Sequence, residues 1–364
     1  MRIQRLDGLR AIAVGAVALH HHLLLRGGWI GVELFFVLSG FMITTILRRD
    51  RRDEMYWKRF YTRRATRILP PVLSLIALVA VYYHPPVRSL LVYIFFMGNF
   101  ANLTRWGMSP QLGLLWSLAV EEHFYLLFPL AVRYLDRRKL MTLLALVIVL
   151  EPALRLIGTS FVQTYIPIYA WTFFRMDGLA MGAMLAVLNE DERAIAWLRR
   201  WSGGFALLFA GIFGALSFWM PVHFDREANT HLFNSLGYSL VAVTSMSVIA
   251  YILLHPTVIP SRILQSRPLV FIGSISYGLY LWHISIMLIV MRATHLSITP
   301  VSFSHRATVF ALSFTASMIF CWVSFRFYEK PIMAWGHRIS AQAVSMESPG
   351  DLAPSAAVSG EGIG

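Results

Sequence analysis

Ten apolar stretches of 17 to 22 residues recur along this chain of 364 residues, near 7–25, 29–47, 68–84, 114–132, 140–157, 169–188, 203–220, 233–254, 270–291 and 307–328. Each can cross the roughly 30 Å hydrocarbon core of a bilayer as a helix. Inside that core every backbone N–H and C=O must be paired within its own segment, so the stretches are constrained to be helical. Composition agrees: 57% of residues are hydrophobic and only 14% charged, against about 25% charged in a soluble domain. Mean hydropathy is +0.60. The sequence predicts an all-α, polytopic integral membrane protein of about ten transmembrane helices. The first stretch reads as a retained helix rather than a cleaved signal peptide. Asp7, Arg10, His20, His21 and His22 interrupt it, and no small-residue cleavage site follows.

Basic residues set the orientation, because Lys and Arg accumulate in cytoplasmic loops. With the N-terminus inside and ten spans, inside segments hold 22 of the 32 Lys and Arg, nine of them between Arg48 and Arg67 and four between Arg133 and Lys139. Outside segments hold six (Arg26, Arg88, Arg105, Arg226, Arg292 and Arg306); Arg10, Arg155, Arg175 and Arg326 fall within spans. A further apolar stretch, 88–100, is short and follows Pro85 and Pro86. Were it to cross, the four basic residues after the fourth span would move outside. It is therefore expected to be interfacial or re-entrant on the outer side, with both termini cytoplasmic. The formal charge of +13 belongs to this orientation pattern and does not point to nucleic acid. A multi-pass protein of the cell membrane is expected, the inner membrane in a Gram-negative cell. Cys321 is the only cysteine and reads as a small core residue. Residues 1–335 are expected to form one membrane domain. Residues 336–364, rich in Ser, Ala, Gly and Pro, are expected to be a disordered cytoplasmic tail.

Ionisable side chains at membrane depth are costly and mark function by default. Arg10 and His21 lie eleven residues apart, about three helical turns, so they share one face ~16 Å apart. His20 and His22 point elsewhere; three consecutive histidines on a helix cannot all face one ion, and no metal is expected. His21, Glu33, Glu121, Glu122, His123, Arg175 and Asp177 all fall towards the outer side of their spans. They are candidates for one polar cavity, in which a carboxylate would orient a histidine base. The bland alternative is a set of buried ion pairs that hold helices together. On the cytoplasmic side, Arg63, Arg64 and Arg67 share one helical face just before Pro70 and Pro71. Such guanidinium forks suit phosphate, although basic residues at a membrane edge also serve orientation and lipid headgroups. Ser117 beside Trp116 reads either as a nucleophile or as a capping and packing residue. His283 reads either as a cavity residue or as a structural histidine.

Seven segments in order resemble the acyltransferase type 3 family: LDGLRAIAVGAVALHH at 6–21, GGWIGVELFFVLSGFMI at 27–43, RRATRILP at 63–70, WSLAVEEHFYLLFP at 116–129, RMDGLAMGAMLA at 175–186, SISYGLYLWH at 274–283 and FYEKP at 327–331. The likeness covers roughly residues 5–335. It implies about ten transmembrane helices and transfer of an acyl group, commonly acetyl from acetyl-CoA, to a carbohydrate hydroxyl. The family's Arg/Lys-x10-His motif falls on Arg10 and His21. Its basic motif falls on Arg63, Arg64 and Arg67, and its Trp-Ser-Leu-x-x-Glu motif on Trp116, Ser117, Leu118 and Glu121. Many relatives carry an additional SGNH-type domain; this sequence shows none and is expected to be a stand-alone form.

The expected chemistry follows from that resemblance. Acyl-CoA is the donor substrate, with no permanently bound cofactor, and Arg63, Arg64 and Arg67 hold its phosphates. His21 is the general base, Glu33 or Glu121 orients it, and Arg10 stabilises the thioester carbonyl or departing thiol. Trp116, Ser117, Arg175, Asp177 and His283 are expected to contact substrate. The acceptor is a carbohydrate or glycolipid of unspecified identity, and transfer through an acyl-enzyme stays open. The competing reading is a secondary transporter with His, Glu and Arg as a relay. It lacks the paired halves with broken helices at matching positions that such folds show. A weaker third reading is a non-catalytic partner that binds lipid-linked glycans.

Overall fold

The structure, a computed structural model, describes residues 3–103, 110–299 and 301–346. Among these it is all-helical. Eight helices are long and apolar enough to cross a membrane, within Arg26–Arg49, Tyr56–Tyr83, Leu115–Tyr134, Arg137–Thr159, Glu192–Trp219, Phe233–Leu254, Ser276–Thr294 and Phe303–Ser340. The expected first and sixth spans fall short of that measure. The first is α1 (Gln4–His21), whose charged and histidine side chains lower its hydropathy. The sixth is broken into α7, a 3-10 turn and α8.

In chain order α1 leads through a 3-10 turn (Arg26–Trp29) into α2 (Ile30–Arg49) and α3 (Tyr56–Tyr83). Helix α3 begins twelve residues before the apolar stretch that predicts it, so Arg63, Arg64 and Arg67 lie on its early turns. Next comes α4 (Val87–Ile94), eight residues and thus ~12 Å long; that part of 88–100 cannot cross. Arg105 and most of the loop around it lie outside the described residues. Then follow α5 (Leu115–Tyr134), α6 (Arg137–Thr159), α7 (Ile166–Ala170), α8 (Met176–Leu188) and α9 (Glu192–Trp219). A π-helical turn (Phe233–Gly237) precedes α10 (Tyr238–Leu254). The expected ninth span, 270–291, is split. After α11 (Ile259–Leu264), α12 (Arg267–Ser274) stops at Ile275 and α13 (Ser276–Thr294) begins anew, which puts Ser276 on a first helical turn. Finally α14 (Phe303–Ser324) passes through a π-helical turn (Phe325–Glu329) into α15 (Lys330–Met346).

Helix α15 extends past residue 335, where the sequence ended the membrane domain. Its amphipathic face packs on α3: Gly336 lies against Thr66, and Arg63 Nε donates to Ser340 Oγ at 3.3 Å. Residues 347–364 lie outside the described residues.

Small residues let the central helices approach closely, as membrane bundles require where lipid supplies no hydrophobic drive. A Cβ at Gly40 of α2 would meet the Leu179 carbonyl of α8, and one at Gly182 of α8 would meet the Val37 carbonyl of α2. Helix α1 packs on α2, α12 and α13 and so sits inside the bundle. Loop ends follow the alternation of the chain. The caps Asp136 and Asp191, which open α6 and α9 with backbone N–H bonds, lie at the basic end, and an Arg137–Asp191 ion pair at 3.2 Å joins them.

Candidate active site

Arg10 projects from α1 towards the break before α13, where its Nε donates to Ser276 Oγ at 3.1 Å. It lines a cavity of about 60 Å³ with Phe35, Ser39, Ser117, Glu121 and Tyr280 among its walls. Glu121 accepts from Ser39 Oγ and from Tyr125 OH, each at 2.9 Å. Arg10 and Glu121, two of the expected site residues, thus face one cavity. Ser117 Oγ and Tyr280 OH are 2.5 Å apart at its wall, and Ser117 also donates to the Leu114 carbonyl at 3.3 Å.

His21 sits three turns along α1, as its spacing from Arg10 predicts. Its Nδ1 lies 2.9 Å from the Val17 carbonyl and 3.1 Å from His283 Nε2. His283 Nδ1 in turn lies 3.0 and 2.9 Å from the Leu279 and Tyr280 carbonyls. Carbonyl oxygens only accept, so in the neutral pair both Nδ1 atoms carry the proton. His283 Nε2 then presents a lone pair to the His21 Nδ1–H, and His21 Nε2 is left as that ring's basic atom. A histidine orients His21 where the sequence expects a carboxylate. Glu121 is held at the Arg10 cavity and Glu33 in the ion network described below. The other two histidines have other partners: His20 Nδ1 meets the Leu25 carbonyl at 3.1 Å, and His22 lies 2.7 Å from both Ala18 O and Ser313 Oγ.

His21 lines a second cavity, of about 150 Å³, with Trp116, Tyr169, Arg226 and Tyr280. Val32 and Tyr280 line both this cavity and the Arg10 cavity, so the two are neighbours with those side chains between them. On its other side it shares His20, Trp29 and Arg226 with a vestibule of about 710 Å³. The three form a row from Arg10 past His21 to the end of the bundle opposite the basic loops.

The remaining expected residues are placed differently. Arg175 and Asp177 are fully buried and line none of the three cavities. Arg175 forms a buried ion pair with Glu33. Arg155 holds Asp177 at 2.8 Å and Glu151 at 3.7 Å. Ser239 Oγ donates to Asp177 at 2.6 Å, and Glu151 accepts the Met176 N–H at 2.6 Å. This network ties α2, α6, α8 and α10 together. It reaches the His21 cavity through rings: the Arg175 guanidinium lies 5.3 Å from Tyr169 and 6.0 Å from Trp116, and those two rings are 4.5 Å apart. The anticipated single polar cavity is thus two assemblies, since carboxylates this deep are drawn to guanidinium partners. His123 joins neither; its Nδ1 meets Thr172 Oγ1 at 2.6 Å.

Arg63, Arg64 and Arg67 do not present one compact fork. Arg63 turns to Ser340 of α15, while Arg64 stacks 5.4 Å over Tyr125 beneath the Arg10 cavity. Arg67 lies within electrostatic range of Arg10. Sequence reasoning passed over Ser276 and Tyr280. Their signal was available: 276, 280 and 283 fall at i, i+4 and i+7, one face of a helix. Arg155 and Glu151 carried the signal of ionisable side chains within the fifth apolar stretch; Arg226, between two stretches, carried none.

A helical bundle with a run of buried polar cavities from a basic end to an opposite mouth is a multi-pass membrane protein with an internal site. Residues 3–326 match the acyltransferase type 3 family, described as an acyltransferase domain, and the chain belongs to that family. It is 33% identical over 360 residues to the peptidoglycan O-acetyltransferase OatA of Listeria monocytogenes, covering 91% of this chain and 56% of that protein. It is 29% identical over 368 residues to the O-acetyltransferase OatA of Staphylococcus aureus, with 92% and 58% covered. A putative O-acetyltransferase of Staphylococcus aureus is 28% identical over 367 residues, with the same coverage. The chain therefore spans somewhat over half the length of these relatives. No solved structure matches.

Proposed function

We propose that this chain is a membrane O-acyltransferase. It moves an acetyl group from acetyl-CoA, approaching at the cytoplasmic end, to a hydroxyl of a cell-wall or other cell-surface carbohydrate at the outer end. The observation that supports this reading is the row of neighbouring cavities lined by Arg10, by His21 and by the vestibule residues in turn. In this reading α1 and the broken α7–α8 segment cross beside the eight long helices, and both termini lie in the cytoplasm, in keeping with the positive-inside pattern.

Arg63, Arg64 and Arg67 meet the phosphates of the donor as separate contacts along its length. The acetyl thioester extends towards Arg10, whose fixed charge stabilises negative charge on the carbonyl oxygen or the departing sulfur. His21 Nε2 removes the proton of the acceptor hydroxyl as its oxygen bonds to the carbonyl carbon. The carbon–sulfur bond breaks, and the thiolate recovers the proton as coenzyme A leaves. The Val17 carbonyl and His283 Nε2 both face His21 Nδ1–H, which leaves His21 Nε2 unprotonated. Trp116 and Ser117 stand where the donor and acceptor halves meet.

Vesicles holding the purified protein test the reading through sidedness. Radiolabelled acetyl-CoA is supplied to the cytoplasmic face and soluble peptidoglycan fragments to the other. The reading predicts label on the glycan only in that arrangement. Passage of label without transfer would indicate a transporter.

A further inference from the structure

Outside loops of membrane proteins are poor in basic residues, yet three of the six outside arginines converge on one vestibule. Arg26 comes from the turn between α1 and α2, Arg226 from the loop between α9 and α10, and Arg306 from the first turns of α14. Such convergence from three separate loops is not what orientation alone produces.

Their partners differ. Arg226 is only 7% exposed. Its guanidinium lies 5.6, 5.1 and 4.9 Å from the rings of Trp29, Tyr165 and Tyr169. One terminal nitrogen pairs with Glu227 at 3.1 Å, while Nε has no hydrogen-bond partner among the described residues. Arg306 donates to the Ile298 and Leu23 carbonyls at 3.2 and 3.4 Å. Neither Arg306 nor the exposed Arg26 forms an ion pair among the described residues. The vestibule holds two carboxylates: Glu227 is paired with Arg226, and Asp225 accepts the Glu227 N–H at 3.0 Å. Positive charge is therefore left over at the mouth of a cavity that leads, past Arg226 and Trp29, to His21.

We infer that this vestibule is the acceptor subsite and that it takes an anionic carbohydrate, one bearing carboxylate or phosphate groups. Arg26 and Arg306 attract and hold the acidic group, and Arg226, caged by aromatic rings, stands between the vestibule and the His21 cavity. Its unpartnered Nε is a donor for the acceptor as a sugar ring passes Trp29 and Tyr169 on the way to the base. The three arginines outnumber the two carboxylates of the vestibule, and an excess of one sign in a low-dielectric cleft raises the local concentration of an oppositely charged substrate. The inference rests on the acyltransferase reading and adds the charge of the acceptor to it.

The test compares two acceptors with acetyl-CoA as donor: peptidoglycan fragments with free carboxylates, and the same fragments with those carboxylates amidated. Wild type is expected to favour the free-acid form in kcat/KM by about tenfold or more, the worth of one charge-assisted contact, with the preference shrinking as salt rises. In Arg26→Gln/Arg306→Gln, two side chains outside the packed core, the ratio is expected to fall towards one. Transfer to both acceptors without preference, or an unaltered preference in the double variant, overturns the inference and leaves the acyltransferase reading standing. Absence of transfer to either acceptor overturns that reading and the inference with it.

Discussion

His283 Nε2 lies 3.1 Å from His21 Nδ1, and the carbonyl contacts of both rings fix which nitrogens carry protons. Two helices distant in sequence, α1 and α13, thus set the tautomer of the residue proposed as base. His283→Leu removes one of the two acceptors of that proton, leaving the Val17 carbonyl, and is expected to lower kcat about tenfold, part of the ~10²–10⁴-fold a positioned base supplies. KM for the donor should stay within a few-fold. His283→Gln, whose amide oxygen can accept the same hydrogen bond, should restore much of the rate. An equal fall in both variants would show that His283 acts only through packing.

Val32 and Tyr280 stand between the Arg10 and His21 cavities. Val32→Phe adds bulk at that junction, with an overpacking cost of about 1–3 kcal/mol. Donor affinity should be kept while transfer to the glycan falls to background. Donor binding by scintillation proximity beside the transfer assay checks this, and full transfer would disconnect the two cavities.

The Arg155 network is expected to hold helices rather than substrate. Arg155→Leu leaves Asp177 and Glu151 buried without their partner, a change of about 3–5 kcal/mol. Thermal unfolding in detergent, followed by size-exclusion chromatography, should show a large loss of Tm. Retained Tm together with a raised KM for either substrate would instead make the cluster a binding element.

Helix caps at the basic end give a pH dependence. Backbone N–H bonds from Lys139 to Asp136, and from Ala194 and Arg193 to Asp191, hold both carboxyls below their ordinary range. A carboxyl with a lowered folded-state pKa contributes stability at neutral pH and loses it as pH falls through the acid range. The Tm gap between wild type and Asp191→Ala should therefore be widest near neutrality and close as the pH is lowered through the carboxylate range. A gap that widens on acidification would contradict the capping role.

How much of this was legible follows from which interactions are local. The apolar stretches and the i, i+11 spacing of Arg10 and His21 are properties of one helix, and the sequence carries them. The breaks at Ile275 and around Thr172 were not legible, because the small and polar residues there (Gly273, Ser274 and Ser276; Thr172, Arg175 and Asp177) read equally well as polar positions within a continuous span. Charges at Glu33, Arg175 and Asp177 were visible but their pairing was not: which carboxylate meets which guanidinium depends on the close approach of α2 and α8 through Gly40 and Gly182. Helix α15 was hidden because its residues resemble a polar tail until α3 offers a surface. His283 was visible as a candidate, but its partner came only with the packing of α1 on α13.

The central claim is that His21 is the base that activates the acceptor. The most direct measurement is acetyl transfer from acetyl-CoA to peptidoglycan fragments by reconstituted His21→Ala, with donor affinity and membrane insertion measured on the same preparation. A loss of about 10²–10⁴-fold in kcat is expected, with donor Kd and insertion close to wild type. Transfer near the wild-type rate by a correctly inserted His21→Ala protein would contradict it.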